Sequence, residues 1–151
     1  MGIGDGVGIN FTREVYNPKL KFVTPIRGFE YPQHIRLIGQ SHKGAKQFKV
    51  DFNNSSNDII FHFNVRFNEK AVVRNSCING VWQKEERAEK EFPFHHGAIF
   101  TLDFIAHPDH VEVKKDGEHF IKFVYRDNYH NVVSMDVDGD IELHHVAVHQ
   151  S

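Results

Sequence analysis

The chain of 151 residues contains one cysteine, Cys77, which excludes an intramolecular disulfide and any zinc site built from several cysteines. A single thiol fits synthesis in a reducing compartment. No apolar run approaches the roughly 20 residues of a membrane-spanning helix, and no hydrophobic signal-peptide segment opens the sequence, so cytoplasmic synthesis without membrane insertion is expected. Neither sign of charge dominates. A formal net charge of −2 gives no electrostatic footprint for nucleic acid or an anionic membrane. The opening MGIGDGVG misses an N-myristoylation signal, because Gly6 stands where Ser or Thr is required. Nor does a strand precede these glycines, as a phosphate-cradling loop would need. Residues 1–12 therefore read as a flexible Gly-rich tail, and 13–151 as one domain without linker, repeat or sustained helical periodicity.

What the chain has in quantity is phenylalanine, 14 residues, together with short segments in which every second residue is apolar. Such alternation runs through Gln47–Phe52, Ile59–Phe67, Ala71–Cys77, Ile99–Ile105, Val111–Val113, Phe120–Val124 and Ile141–Val148. Turn residues separate them: the cluster 53–58, Asn79-Gly80, Lys115-Asp116-Gly117 and Asp138-Gly139. The pattern predicts an all-β fold, an antiparallel sandwich or barrel. Asp136, Asp138 and Asp140 around Gly139 lack the closing glutamate of an EF-hand and read as a solvated turn. Among 12 histidines, the neighbours His95-His96 and His144-His145 point to opposite faces of a strand and cannot readily chelate, so no metal or cofactor is expected. The acceptor-like sequences at Asn10, Asn53 and Asn54 are expected to stay unglycosylated.

The chemistry concentrates in Ile59–Phe67. Its odd positions (Ile, Phe, Phe, Val, Phe) form a core-facing stripe, while His62, Asn64 and Arg66 share the other face about 6–7 Å apart. Imidazole, amide and guanidinium in a row offer directional donors and acceptors, which a ligand with fixed hydroxyls requires. The next strand puts Val73, Asn75 and Cys77 on one parity. Then follow Trp82, the chain's only tryptophan, and Glu85 and Arg87. An indole can cover the C–H patch of a sugar ring. Arg66, Glu85 and Arg87 can form a planar charged network that keeps acceptor capacity on Glu85. A core tryptophan and an exposed salt bridge of little energetic weight are the alternatives for these residues taken singly. Gln47, Lys49 and Asp51 form the polar parity of a neighbouring strand, either extending the same surface or simply solvated.

In order and spacing, His62-Phe63-Asn64-Val65-Arg66-Phe67, Val73-Arg74-Asn75-Ser76 and Trp82-Gln83-Lys84-Glu85-Glu86-Arg87 resemble the carbohydrate-recognition pattern of the galectins, and the likeness covers about residues 18 to 149. It implies a jelly-roll sandwich with a shallow groove across one sheet, binding β-galactoside glycans without catalysis, metal or cofactor. In that pattern His62, Asn64 and Arg66 recognise the axial 4-hydroxyl, Asn75 and Glu85 the 6-hydroxyl, Trp82 stacks on the ring, and Arg66, Glu85 and Arg87 reach the adjoining sugar. It also implies cytosolic synthesis with export that bypasses a signal peptide, and leaves homodimerisation open as a route to cross-linking. Three departures stand out. Val65 replaces the family's usual proline. The loop between Phe67 and Val73 is short, as in invertebrate-like members, which opens the second-sugar side to Glu69. Arg74 replaces a usually apolar residue at an inward parity, and is expected to reach solvent or a carboxylate because an unpaired buried charge is costly. A glycoside hydrolase would need two suitably placed carboxylates, and Glu85 is already committed to arginines. A domain of the same fold acting through protein–protein contacts is the other alternative, which a broken signature would mark; here the signature is intact.

Overall fold

The computed structural model describes residues 11–87, 91–126 and 131–150. Its strands form two antiparallel sheets of six. One runs in the order β1 (Phe11–Tyr16), β12 (Ile141–Gln150), β3 (His34–Ser41), β8 (Ile99–Ala106), β9 (His110–Lys115), β10 (Glu118–Val124). The other runs β2 (Phe22–Pro25), β11 (Val132–Gly139), β4 (Gln47–Asn54), β5 (Ile59–Arg66), β6 (Ala71–Ile78), β7 (Val81–Trp82). The chain changes sheet repeatedly, between β1 and β2 and again between β3 and β4, which is the wiring of a jelly-roll sandwich.

The seven segments that alternate in sequence coincide with β4, β5, β6, β8, β9, β10 and β12 to within two residues at either end. Periodicity did not mark β1, β2, β3 or β11. The second of these has only four residues, and β11 carries aspartates in place of a clean polar face. Residues 1–10 of the expected tail lie outside the described residues, and β1 begins at Phe11.

Turn chemistry explains the hairpins. Between β4 and β5, Asn54 Oδ1 accepts from the backbone N–H groups of Ser56 and Asp58, both at 2.9 Å. Between β6 and β7, Asn79 and Gly80 take φ of 53° and 77°, the double positive φ of a two-residue turn whose twist matches the strands. Gly139 is different, since it ends β11 against β4, with φ of 119°, and an added Cβ would lie 2.5 Å from Phe48 Cα. Only glycine allows the two strands to approach there. The three aspartates do not make one solvated turn. Asp136 is buried within β11, accepting from Asn53 Nδ2 at 3.1 Å and paired with Lys21 at 3.2 Å, while Asp140 caps the backbone N–H of Lys46 at 2.8 Å.

The space between the sheets is filled largely by phenylalanine. Phe61 and Phe63 of β5 meet Phe123 of β10 and Phe104 of β8, with ring centroids 4.8 Å and 5.5 Å apart. Phe48, Phe52 and Val65 are buried in the same cluster. Because β5 commits one parity to this core, its other parity must face outward from the second sheet. That places the site.

Candidate functional site

A groove of about 400 Å³ crosses the outer face of β5, β6 and β7. His62, Asn64, Arg66, Asn75, Trp82 and Glu85 line it, joined by Gln47, Val73 and Gln83. Register produces this convergence: His62 lies opposite Asn75 and Asn64 opposite Val73 on one side, with Asp51, Lys49 and Gln47 opposite His62, Asn64 and Arg66 on the other. Trp82 pairs with Cys77 on the two-residue β7 and is 50% exposed, so it is no core residue; its ring stands 4.7 Å from that of His62.

The polar floor is held in place from the side by β4. His62 Nδ1 lies 2.5 Å from Asp51 Oδ1, and Asp51 is 1% exposed. An ionised carboxylate can only accept, so Nδ1 carries the proton, and in the neutral ring Nε2 is left as an acceptor. Burial pushes the Asp51 carboxyl up, but the bonds from His62 and from Lys49 Nζ at 2.6 Å outweigh it and hold the group below its ordinary value. Lys49 is likewise disfavoured as a cation by burial, yet Asp51 first, and then Asp136 and Asp138, raise it overall. Asn64 donates from Nδ2 to Gln47 Oε1 and to the Phe48 carbonyl, both at 3.0 Å, and accepts from Arg66 Nε at 2.7 Å. The amide is thereby locked, with Oδ1 turned towards Arg66. Gln47 thus belongs to the groove, whereas Lys49 and Asp51 support it, a division that strand parity left open.

At the far end, four charges close a ring. Arg66 donates to Glu69 at 3.2 Å and approaches Glu85 at 4.0 Å; Arg87 donates to Glu69 at 2.6 Å and to Glu85 at 2.9 Å. Hydrogen bonds from Arg87 and then Arg66 hold the Glu69 carboxyl below its usual range, and Glu69 and Glu85 together raise Arg87. Arg87 borders the groove through Glu85 and does not line it. Both carboxylates accept from the same arginine, Arg87, which ties them into one network. The short turn after Phe67 leaves a second depression of about 320 Å³, lined by Lys46, Gln47, Arg66, Asn68 and Glu69, directly beside the groove.

Asn75 Oδ1 accepts from the Ser76 N–H at 2.8 Å and from Arg126 at 2.9 Å, while its Nδ2 donates to the Gln83 carbonyl at 3.0 Å. No sequence signal pointed to Arg126, which comes from beyond β10 on the other sheet. Of the two destinations expected for Arg74, solvent or a carboxylate, solvent does not hold: the side chain is 4% exposed, and Nη1 donates to the Val72 carbonyl at 2.8 Å. Among the described residues, no three or more His, Cys, Asp or Glu side chains are grouped to hold a metal ion. His96 and His144 hydrogen-bond instead to the Ala45 carbonyl and Gln40 Oε1, at 2.8 Å and 3.1 Å. No helix among them is long and apolar enough to cross a membrane.

The family model described as galactoside-binding lectin matches residues 21–148. A 32 kDa beta-galactoside-binding lectin of Caenorhabditis elegans is 36% identical over 121 residues, which are 80% of this chain and 43% of that protein. A 32 kDa beta-galactoside-binding lectin of Haemonchus contortus is 34% identical over 77% of this chain and 41% of its own length. Galectin-6 of Mus musculus is 35% identical over 85% and 44%. The chain therefore spans less than half the length of these relatives. Among solved structures, Caenorhabditis elegans galectin LEC-6 superimposes with a TM-score of 0.84 at 32% identity, covering 89% of this chain and 94% of that one.

Proposed function

Since the chain belongs to the galectins, the family of galactoside-binding lectins, we propose that it binds β-galactoside glycans, without catalysis, in the groove over β5, β6 and β7. The observation that carries this reading is the half-exposed Trp82 facing a preorganised row of His62, Asn64 and Arg66 in one groove. In it, the indole covers the C–H face of galactose, and the row meets the axial 4-hydroxyl, with His62 Nε2 accepting from it and Arg66 donating to it. Asn75 and Glu85 take the 6-hydroxyl. Arg66, Glu85 and Arg87 meet the adjoining sugar, and Glu69, on the open side of the ring of charges, contacts it too.

Preorganisation matters because the site is shallow. A groove that buries little apolar area affords single-site affinity on the order of 0.01–1 mM, about −4 to −7 kcal/mol. Galactose-terminated glycoproteins or glycolipids presented in clusters are the ligands such affinity suits. One groove per chain cross-links them only if the chain self-associates, as a homodimer for example. Retention on immobilised lactose with elution by free lactose is the expected result; flow-through of folded protein at low salt and neutral pH would sink the proposal.

A further inference from the structure

Arg126 follows β10 at the edge of the sheet opposite the groove, and it does not line the groove. Its guanidinium nevertheless reaches four groups on the groove's side of the sandwich. Nη1 donates to Asn75 Oδ1 at 2.9 Å and to Ser76 Oγ at 3.2 Å. Nη2 donates to the Lys84 carbonyl at 2.5 Å and to Glu86 Oε2 at 2.9 Å. Each Nη carries two hydrogens, so these bonds use all four in a planar fork that no ammonium can reproduce. The guanidinium also lies over the Phe123 ring, Cζ 5.0 Å from its centroid, which anchors it to the core.

This arrangement has a consequence for Asn75. Its Oδ1 sits against two donors, the Ser76 N–H and Arg126, so the flipped amide would place NH₂ against N–H groups on both. The amide is therefore oriented with Nδ2 towards the Gln83 carbonyl, and its second N–H remains for the groove. The same guanidinium fastens the segment that carries Glu85, because Lys84 and Glu86 on either side of that residue are both its acceptors, while the backbone of Glu86 bridges to Arg74 at 2.8 Å and 2.9 Å. Glu85 shares no hydrogen bond or ion pair with Arg126 and lines the groove.

We propose that Arg126 is a specificity-determining positioning residue: by clamping Asn75 and the 84–86 segment it fixes recognition of the galactose 6-hydroxyl without touching the sugar. This rests on the galactoside reading of the groove. A residue acting through Asn75 and Glu85 must alter selectivity between ligands that differ only at that hydroxyl; a residue that merely holds the fold must weaken both ligands alike.

The test is calorimetric titration of the full chain and of Arg126→Lys with methyl β-galactoside and its 6-deoxy analogue. The native protein should prefer the hydroxylated ligand by about three- to tenfold, the size of one net hydrogen bond. In Arg126→Lys that preference should fall towards unity while affinity for the 6-deoxy analogue stays within about twofold. An unchanged preference, or an equal loss for both ligands, overturns the proposal. Failure of the native protein to bind either ligand would instead overturn the galactoside reading, and this proposal with it. Should Arg126→Lys lack a native near-ultraviolet circular dichroism spectrum, Glu86→Ala carries the test. That change removes the side-chain acceptor of one Nη2 hydrogen and keeps the Glu86 backbone in place; a reduced preference supports the clamp and an unchanged one refutes it.

Discussion

Asp51→Asn isolates the buried support at the side of the groove. Asp51 is 1% exposed and accepts from His62 at 2.5 Å and from Lys49 at 2.6 Å. Asparagine keeps an oxygen for the imidazole N–H, so the main loss is the charge-assisted part of two bonds, each worth about 1.5–3 kcal/mol when intact. The Lys49 share must be discounted, because that side chain is 34% exposed and has Asp136 at 3.8 Å as a second partner. A net destabilisation of about 2–3 kcal/mol at neutral pH follows, or about 4–12 °C in Tm for a domain of this size. The pH dependence is the sharper readout. The Asp51 carboxyl is held below its ordinary 3.8 in the fold, so its contribution is fully present above that value and is lost as pH falls through the lower folded one. Urea titrations of both proteins at falling pH should give stability curves that differ at pH 7 and draw together as pH falls below 3.8 towards the lower folded value. A difference that stays constant to the lowest pH would show that Asp51 acts by packing and not by charge, and would refute the argument.

Trp82→Ala should abolish retention on lactose, since about 60 Å² of sugar face uncovered at 25 cal/mol per Å² removes about 1.5 kcal/mol from an already weak complex; the residue is half exposed on a two-residue strand, so urea midpoints should scarcely move, and retention by the variant would refute stacking. Gly139→Ala should destabilise by about 2–4 kcal/mol, because the new Cβ meets backbone 2.5 Å away at a φ of 119°; a change below about 0.5 kcal/mol in thermal unfolding would show that the strands separate freely there. Glu69→Gln should leave stability unchanged but shift the affinity ratio of lactose to methyl β-galactoside by about two- to tenfold, because it loosens both Arg66 and Arg87. Equal effects on both ligands in calorimetry would place Glu69 outside second-sugar recognition.

The legible part of this protein is the part encoded within a strand. Side chains two apart share a face whatever the surroundings, so Ile59–Phe67 alone divides into a phenylalanine stripe for the core and His62, Asn64 and Arg66 for the outside. Asn79-Gly80 and Asp116-Gly117 announce their hairpins because positive φ is a property of the residue itself. Where strands are short or carry buried charge, as in β2 and β11, local alternation fails, and Asp136 looks like a solvated turn until Lys21 and Asn53 are seen beside it.

What only the tertiary structure decided is which side chains meet across neighbouring segments. Register sets Asp51 beside His62 and turns a row of polar residues into a hydrogen-bonded floor. The turn after Phe67 brings Glu69 to Arg87 and closes the ring of charges at the second-sugar end. Sandwich closure carries Arg126 from one sheet to Asn75 on the other. The sequence by itself determined which side chains can face a ligand, because parity is local. Their orientation, and which partners share their hydrogen bonds, depend on contacts between segments 11 to 51 residues apart, and no local pattern can encode those.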